Sequence, residues 1–385
     1  MRLLQCPADI GVSEMIVGAT RSASTVTIAM VAFGAACGDG PGPQAGPRLT
    51  LSPPWTSIEV GDSIVGDTVH VAFLNAAGAV VRADSVVWSS SDTSVARVDA
   101  LGLVHARRPG VATLRGVANS TVASQQITVT DPVLVGAGDI GTCASANDEA
   151  TARLLDSLSG TVFTVGDNDY VDATPPPAYG VCFAASWGRH QWRTRPAAGD
   201  DDSLTGYFSY FGATAHSPTG YYSYDLGAWH IVVLNSAVAV DSTQARWLRA
   251  DLAAHPALCT LAISHRPRFS SGNAGSSPGQ AAYFQALYDA GAELILDGND
   301  HIYERFAAQA PDQQPDPAGG LVEIIVGTGG KSHGRINPPP VQNSVAQNAD
   351  TYGVLRVELR PASYTWRFIP VAGRTFSDAG SAACH

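Results

Sequence analysis

Beyond residue 130, five apolar runs end alike, in a glycine or small residue followed by a side chain able to bind metal. VLVGAGDIG delivers Asp139, TVFTVGDNDY delivers Asp167 and Tyr170, and RPAAGDDD delivers Asp200, Asp201 and Asp202. CTLAISHRP delivers His265, and LILDGNDH delivers Asn299 and His301. Short apolar runs punctuated by glycine read as buried strands. In open α/β folds ligands bind in the crevice beyond the carboxyl ends of the strands. Carboxylates gathered in one crevice repel each other, and a divalent cation relieves that repulsion while imidazoles complete its donor set. The chemistry implied is that of a metal centre.

Alternating elements must position these ends. Between the apolar runs lie amphipathic stretches, NDEATARLLDSL, TQARWLRADLAAH and GQAAYFQALYDAGA. In the last, Ala281, Phe284, Leu287, Tyr288 and Gly291 fall near one helical face. Residues 133–372 therefore predict an α/β domain with a layered sheet, closed by an antiparallel hairpin in YGVLRVELRPASYTWRFIPV, and residues 373–385 read as a tail. Residues 48–130 differ: short alternating strands (LTLSP, DTVHVAFLN, SVVWSSS, VARVDALGLVHA, GVATLRGVA, QQITVT) with turn residues about every 8–12 positions predict an antiparallel sandwich. Residues 38–47, GDGPGPQAGP, read as a Gly/Pro tether. The chain is multidomain: an all-β sandwich followed by an α/β domain.

The run VVWSSSDTSVARVDALGLVHARRPGVATL resembles a bacterial Ig-like domain of group 2, with Trp88 as its core tryptophan and Gly102 and Gly110 at turns. No catalytic cluster lies there; the resemblance implies a spacer or a surface contact with a partner. Residues 133–330 resemble the calcineurin-like metallophosphoesterases, nearest their purple acid phosphatase branch. The strand ends carry that resemblance, with SWGRHQWRTRP, GYYSYDLGAWHIVVLNS, HRPRFSSG, DHIYERF and VGTGG. It implies a sandwich of two sheets flanked by helices and a dinuclear centre, iron with zinc, manganese or magnesium. Asp139, bridging Asp167, Tyr170 and His301 would hold one metal, and Asp167, Asp200, His265 and Asn299 the other. The implied substrate is a small phosphate ester.

The second half of that site departs from the family. The pattern G-N-H-[DE] reads Gly199-Asp200-Asp201-Asp202, so Asp200 replaces an amide ligand and Asp201 the histidine that protonates the leaving group. G-H-x-H reads Gly298-Asn299-Asp300-His301, so Asn299 replaces an imidazole, and Ala274 stands where relatives often carry another histidine. Three outcomes stay open: a second site retuned for a harder ion, one metal with slow turnover, or a surface-binding protein that no longer catalyses. A phosphodiesterase or nucleotidase is a further alternative. The catalytic candidates are Asp201 and His265, and the candidate substrate contacts are Asp201 and His333. His230, within a strand, reads as structural.

Net charge is −11 with no basic stripe, which argues against nucleic acid as a partner. STVTIAMVAFGAAC after Arg21 is too short to span a bilayer and resembles a bacterial lipoprotein signal over residues 1–37, with Cys37 lipidated; cleavage after Ala36 is the alternative. The expectation is an exported protein, at the cell surface or in the periplasm, lipid-anchored or secreted. Cys143, Cys182, Cys259 and Cys384 then allow two disulfides whose pairing the sequence leaves open. Two further motifs fail: GTGGKS has Ile325 where a phosphate loop needs glycine, and RINPPP after Ser332 excludes the helix of a nucleophile elbow.

Overall fold

The computed structural model describes residues 46–52, 57–60, 69–82, 85–170, 179–238 and 242–385. Cys37, the signal segment and most of the tether lie outside the described residues.

Residues 48–130 fold into two β-sheets, of five and four strands. Val71, Phe73, Leu114, Ile127 and Val129 alternate inward along their strands and close the core between the sheets. Trp88 is half-buried at the margin of this core instead of central to it. Its ring lies along Gly116, where a Cβ would crowd it, and beside Gly102, where a Cβ would meet the Val71 carbonyl. Gly102 takes φ +81, the left-handed turn expected of it.

The following domain stacks two larger sheets. One has six strands in the order Thr194–Arg195, Thr161–Thr164, Val133–Ala137, Gly353–Arg360, Ser363–Pro370, Ala379–Ala383. The other has seven, with Trp229–Val233, Cys259–Ile263, Leu294–Asp297 and Val322–Val326 parallel at its centre and Tyr222–Leu226 antiparallel at one edge. The period of two sorts their side chains. Ile231, Val233, Leu261, Ile263 and Leu296 face the other sheet, whereas Val232, Leu234, Ala262 and Ile295 face the helices Ser242–Ala254 and Ala281–Asp289. Strands covered on both faces have no polar side, which is why these runs are continuously apolar.

Two expectations need correction. Helix Ala281–Asp289 buries Tyr283, Phe284, Ala286 and Leu287, so its apolar face is rotated from the one drawn through Ala281 and Tyr288. The phenol of Tyr283 reaches Gln244 at 2.8 Å, a polar partner that lets it point inward. Residues 373–385 are not a loose tail: Ala379–Ala383 pairs antiparallel with Ser363–Pro370, and Cys384 is bonded to Cys259. Cys143 pairs with Cys182.

Candidate metal centre

The carboxyl ends of the strands converge as their glycines suggest. Gly138, Gly166 and Gly298 each precede a residue in left-handed backbone: Asp139 (φ 57), Asp167 (φ 50) and Asn299 (φ 67). Strained non-glycine residues of this kind persist only where surrounding structure over-determines them, and they cluster at functional sites. Space enforces the turns too. A Cβ on Gly199 would overlap the Asp167 carboxylate and amide, and one on Gly298 would meet Asp139 and Val165.

Asp139, Asp167 and His265 are buried, with ligand atoms within 4.8 Å of one another. The Tyr170 phenol lies 2.9 Å from Asp139 Oδ1, 2.8 Å from Asp167 Oδ2 and 3.3 Å from His301 Nε2. One phenolic proton serves only one of these neighbours at a time. Asp167 presents its other oxygen, Oδ1, to His265 Nε2 at 3.3 Å. Its two oxygens thus look into two halves of the site.

Both histidines have fixed tautomers. His301 Nδ1 is 2.7 Å from the Ser332 carbonyl and His265 Nδ1 is 2.8 Å from the Val165 carbonyl, so each Nδ1 carries a proton and donates it. His301 Nε2 then points at Asp139 Oδ1, 3.4 Å away. His265 Nε2 is sealed from solvent, 2.9 Å from Asp200 Oδ1 and 3.3 Å from Asp167 Oδ1, and hydrogen-bonds well to neither. A buried nitrogen aimed between two carboxylates calls for a cation among them, either a proton on the ring or a metal bound by all three. The donor set fits a divalent metal.

The electrostatics follow. Burial lifts Asp139 to about 6 against the pull of His301 and His265. Burial pushes Asp167 upward as well, but the nearby His265 charge and hydrogen bonds from Asp201 and Tyr170 leave it below the ordinary carboxylate range. The His265 ring beside it holds Asp200 down at about 2, helped by Arg266. Burial pulls His265 downward, yet Asp167 and Asp200 hold it well above its usual value. Asp201 is raised by burial and by the charges of Asp167 and Asp200.

Asp200 divides its carboxylate between His265 and Arg266 Nη2, the latter 2.7 Å away. Asp201 is exposed, and its main-chain amide donates to Asp167 Oδ1 at 2.9 Å. Asn299 donates its main-chain amide to Asp139 Oδ2 at 3.1 Å. Asp202 is buried and works as a brace. It accepts from the Asn168 amide and side chain, the Gly199 amide and the Tyr179 phenol, pinning the loop under Asp167. His333 stacks on Tyr352 with centroids 3.9 Å apart, outside the converging set.

Two cations escaped the sequence reading. Lys331 Nζ lies 3.9 Å from the Tyr170 ring centroid, and its main-chain amide donates to the Asp139 carbonyl. It belongs to the GTGGKS stretch, and only packing brings it beside Tyr170. Arg266 follows His265 directly in HRP, so its place beside the crevice was readable from the strand end.

Residues 48–129 match the bacterial Ig-like domain (group 2). Purple acid phosphatase 15 of Arabidopsis thaliana is 33% identical over 128 residues, 31% of this chain, and the match spans only 24% of the plant protein's length. The purple acid phosphatase PPD1 from yellow lupin superposes with a TM-score of 0.54 at 13% identity, covering 88% of this chain and 74% of its own. GAP50, the anchor in the inner membrane complex of Plasmodium, gives 0.52 at 14% identity over 65% and 88% of the two chains. Residues 48–129 thus carry the match to the group 2 bacterial Ig-like domain, and the domain that follows has the fold of the purple acid phosphatase it superposes on.

Proposed function

We propose that this chain hydrolyses phosphate esters at a dinuclear centre, as a phosphomonoesterase of purple acid phosphatase type with an altered second site. Asp139, Tyr170 and His301 would hold one metal and His265, Asp200 and Asn299 the other, with Asp167 shared. Bound there, a divalent or mixed-valence pair supplies Lewis-acid polarisation of a phosphoryl oxygen and a lowered pKa for water. The protein's own groups do the rest. The Val165 and Ser332 carbonyls fix both imidazoles with Nε2 inward, and Lys331 and Arg266 offset part of the acidic charge that would otherwise repel a phosphate. Asp201 stands where relatives carry the histidine that protonates the leaving group.

The observation that carries this reading is His265 Nε2, buried and aimed between Asp167 and Asp200. Elemental analysis combined with turnover of p-nitrophenyl phosphate, with manganese or magnesium added back, tests it. The expected result is bound metal and a loss of more than roughly 100-fold in Asp167→Asn, since even residues behind the ligands are worth about 10–100-fold. Undiminished turnover in that variant sinks the proposal.

A second reading, that of a surface-binding protein, is favoured by the Asp200–Arg266 pair, in which a protein cation already neutralises one intended ligand. A metal-poor chain, inert under every added ion, is its signature. We also propose export to the cell surface or periplasm with Cys37 lipidated, and a surface partner for the Ig-like domain. The two disulfides support export, since such bonds persist in oxidising compartments.

A further inference from the structure

His230, read from sequence as structural, sits in a second cluster of ligating groups at the other end of the sheet. It pairs across the parallel ladder with Thr260, five residues before His265 and so about 17 Å back along the strand direction. His230 Nδ1 lies 2.9 Å from Asp225 Oδ1, its antiparallel partner, and Nε2 lies 2.8 Å from Asp251 Oδ2. Asp251 comes from the last turn of helix Ser242–Ala254, and His255 follows four residues later on the same face. His255 Nδ1 stands 3.4 Å from Asp251 Oδ1, and its ring stacks on that of His230 at 4.8 Å and 13°. The ligand atoms of His230, Asp251 and His255 all lie within 4.8 Å of one another.

The hydrogen-bond inventory of this cluster leaves a place for a cation between His230 and its two carboxylates. Ionised carboxylates only accept, so both nitrogens of the buried His230 need a proton or a metal facing them. His255 Nδ1 lies 2.9 Å from the Asp251 main-chain carbonyl and donates its proton there, which leaves the second imidazole a lone pair on Nε2. Metal at His230 Nε2 would take the place of the proton facing Asp251, with the exposed His255 ring turned to offer Nε2. Asp225 would then accept from Nδ1–H, the carboxylate–histidine–metal arrangement, and Ser223 Oγ already donates to Asp251 Oδ1 at 2.7 Å. Two imidazoles and one carboxylate suit zinc or a similar first-row divalent ion. His255 is 47% exposed and borders a cavity of about 210 Å3 with Asp225, Trp229 and Pro256, which leaves room for water as the remaining ligand.

We propose that His230, Asp251 and His255 form a zinc-class site separate from the strand-end centre, with Asp225 positioning His230. Bound zinc would clip the end of the helix to the edge hairpin.

The test is zinc titration of the metal-free full chain carrying Asp139→Asn and Asp167→Asn, followed by calorimetry and thermal melting. One equivalent should bind and raise Tm. Adding His255→Gln, an exposed change that spares the core, should remove that equivalent and the shift. Adding Asp225→Asn should weaken zinc affinity about 10–100-fold without changing the stoichiometry. If the parent variant does not fold, the same comparison is made in the wild type, where His255→Gln should lower total zinc by one per chain. Unchanged zinc binding and unchanged melting in His255→Gln overturn the proposal, and neither outcome depends on turnover at the strand-end centre.

Discussion

Asp201 concentrates the question of how well this centre works. A leaving group that departs as an alkoxide needs a proton, whereas an aryl oxide leaves readily without one. Asp201 lies at the surface, and its carboxyl can donate only in its protonated form, toward which partial burial and the charges of Asp167 and Asp200 move it. Replacing it by the imidazole that relatives carry should help the substrates that need an acid. Asp201→His is expected to raise kcat on an alkyl phosphate roughly 10–100-fold and to change kcat on p-nitrophenyl phosphate by less than about threefold. Equal effects on both substrates would mean that residue 201 does not protonate the leaving group. At this scale the sequence was readable wherever chemistry is written locally. Gly138-Asp139, Gly166-Asp167 and Gly298-Asn299 announce left-handed turns after strands, and the turns bring their side chains together. His230, Asp251 and His255 were not readable as a set, because a strand and a helix end meet only after the hairpin and helix have packed.

Among the elements, the strands Leu294–Asp297 and Val322–Val326 carry an unusual pair of carboxyls. Asp297 and Glu323 are fully buried on neighbouring strands, and Glu323 accepts from the amides of Arg268 and Phe269. Burial pushes Glu323 up to about 8, and burial together with Glu323 pushes Asp297 well above its usual value. Between the unfolded glutamate value of about 4.3 and the folded value, the native chain holds more protons than the unfolded one. Stability contributed by this pair is therefore present at low pH and falls as pH rises through that window. Melting followed from about pH 5 to about pH 8 should show the decline. Glu323→Gln keeps an acceptor for the two amides and a donor toward Asp297, and should reduce the decline by on the order of 1–2 kcal/mol. An identical slope in the variant would mean that other groups set it. The element-level errors have related causes. Ala379–Ala383 looked like tail because AGSAA has little apolar content; its strand pairing and the Cys259–Cys384 bond come from distant residues. Tyr283 was missed on its helix because its polar tip is satisfied by Gln244, a partner invisible to periodicity.

For the whole molecule, the apolar groups fall into cores that respect the change in sequence pattern near residue 130. Leu49, Val71, Phe73, Leu114 and Ile127 cluster by themselves, while the core between the larger sheets begins at Leu134 and runs to Phe368. No strand of residues 48–130 joins either of the larger sheets among the described residues. Every side chain of the candidate centre also comes from beyond that point, from Asp139 through Lys331. A unit with its own core is expected to fold by itself. A chain truncated to begin at Asp131 should therefore keep its metal content, hold Tm within a few degrees, and retain kcat/KM on p-nitrophenyl phosphate within about twofold, since about 1.4 kcal/mol already separates tenfold changes. Failure to fold would show that Asp131–His385 depends on the preceding sandwich. The main-chain amide of Val133, which donates to Glu59 Oε2 at 3.2 Å at the start of the first strand, is where that dependence would enter. Glu59→Gln in the full chain separates the two cases: it should leave melting unchanged if the domains are independent, and reproduce part of the loss if this contact couples them.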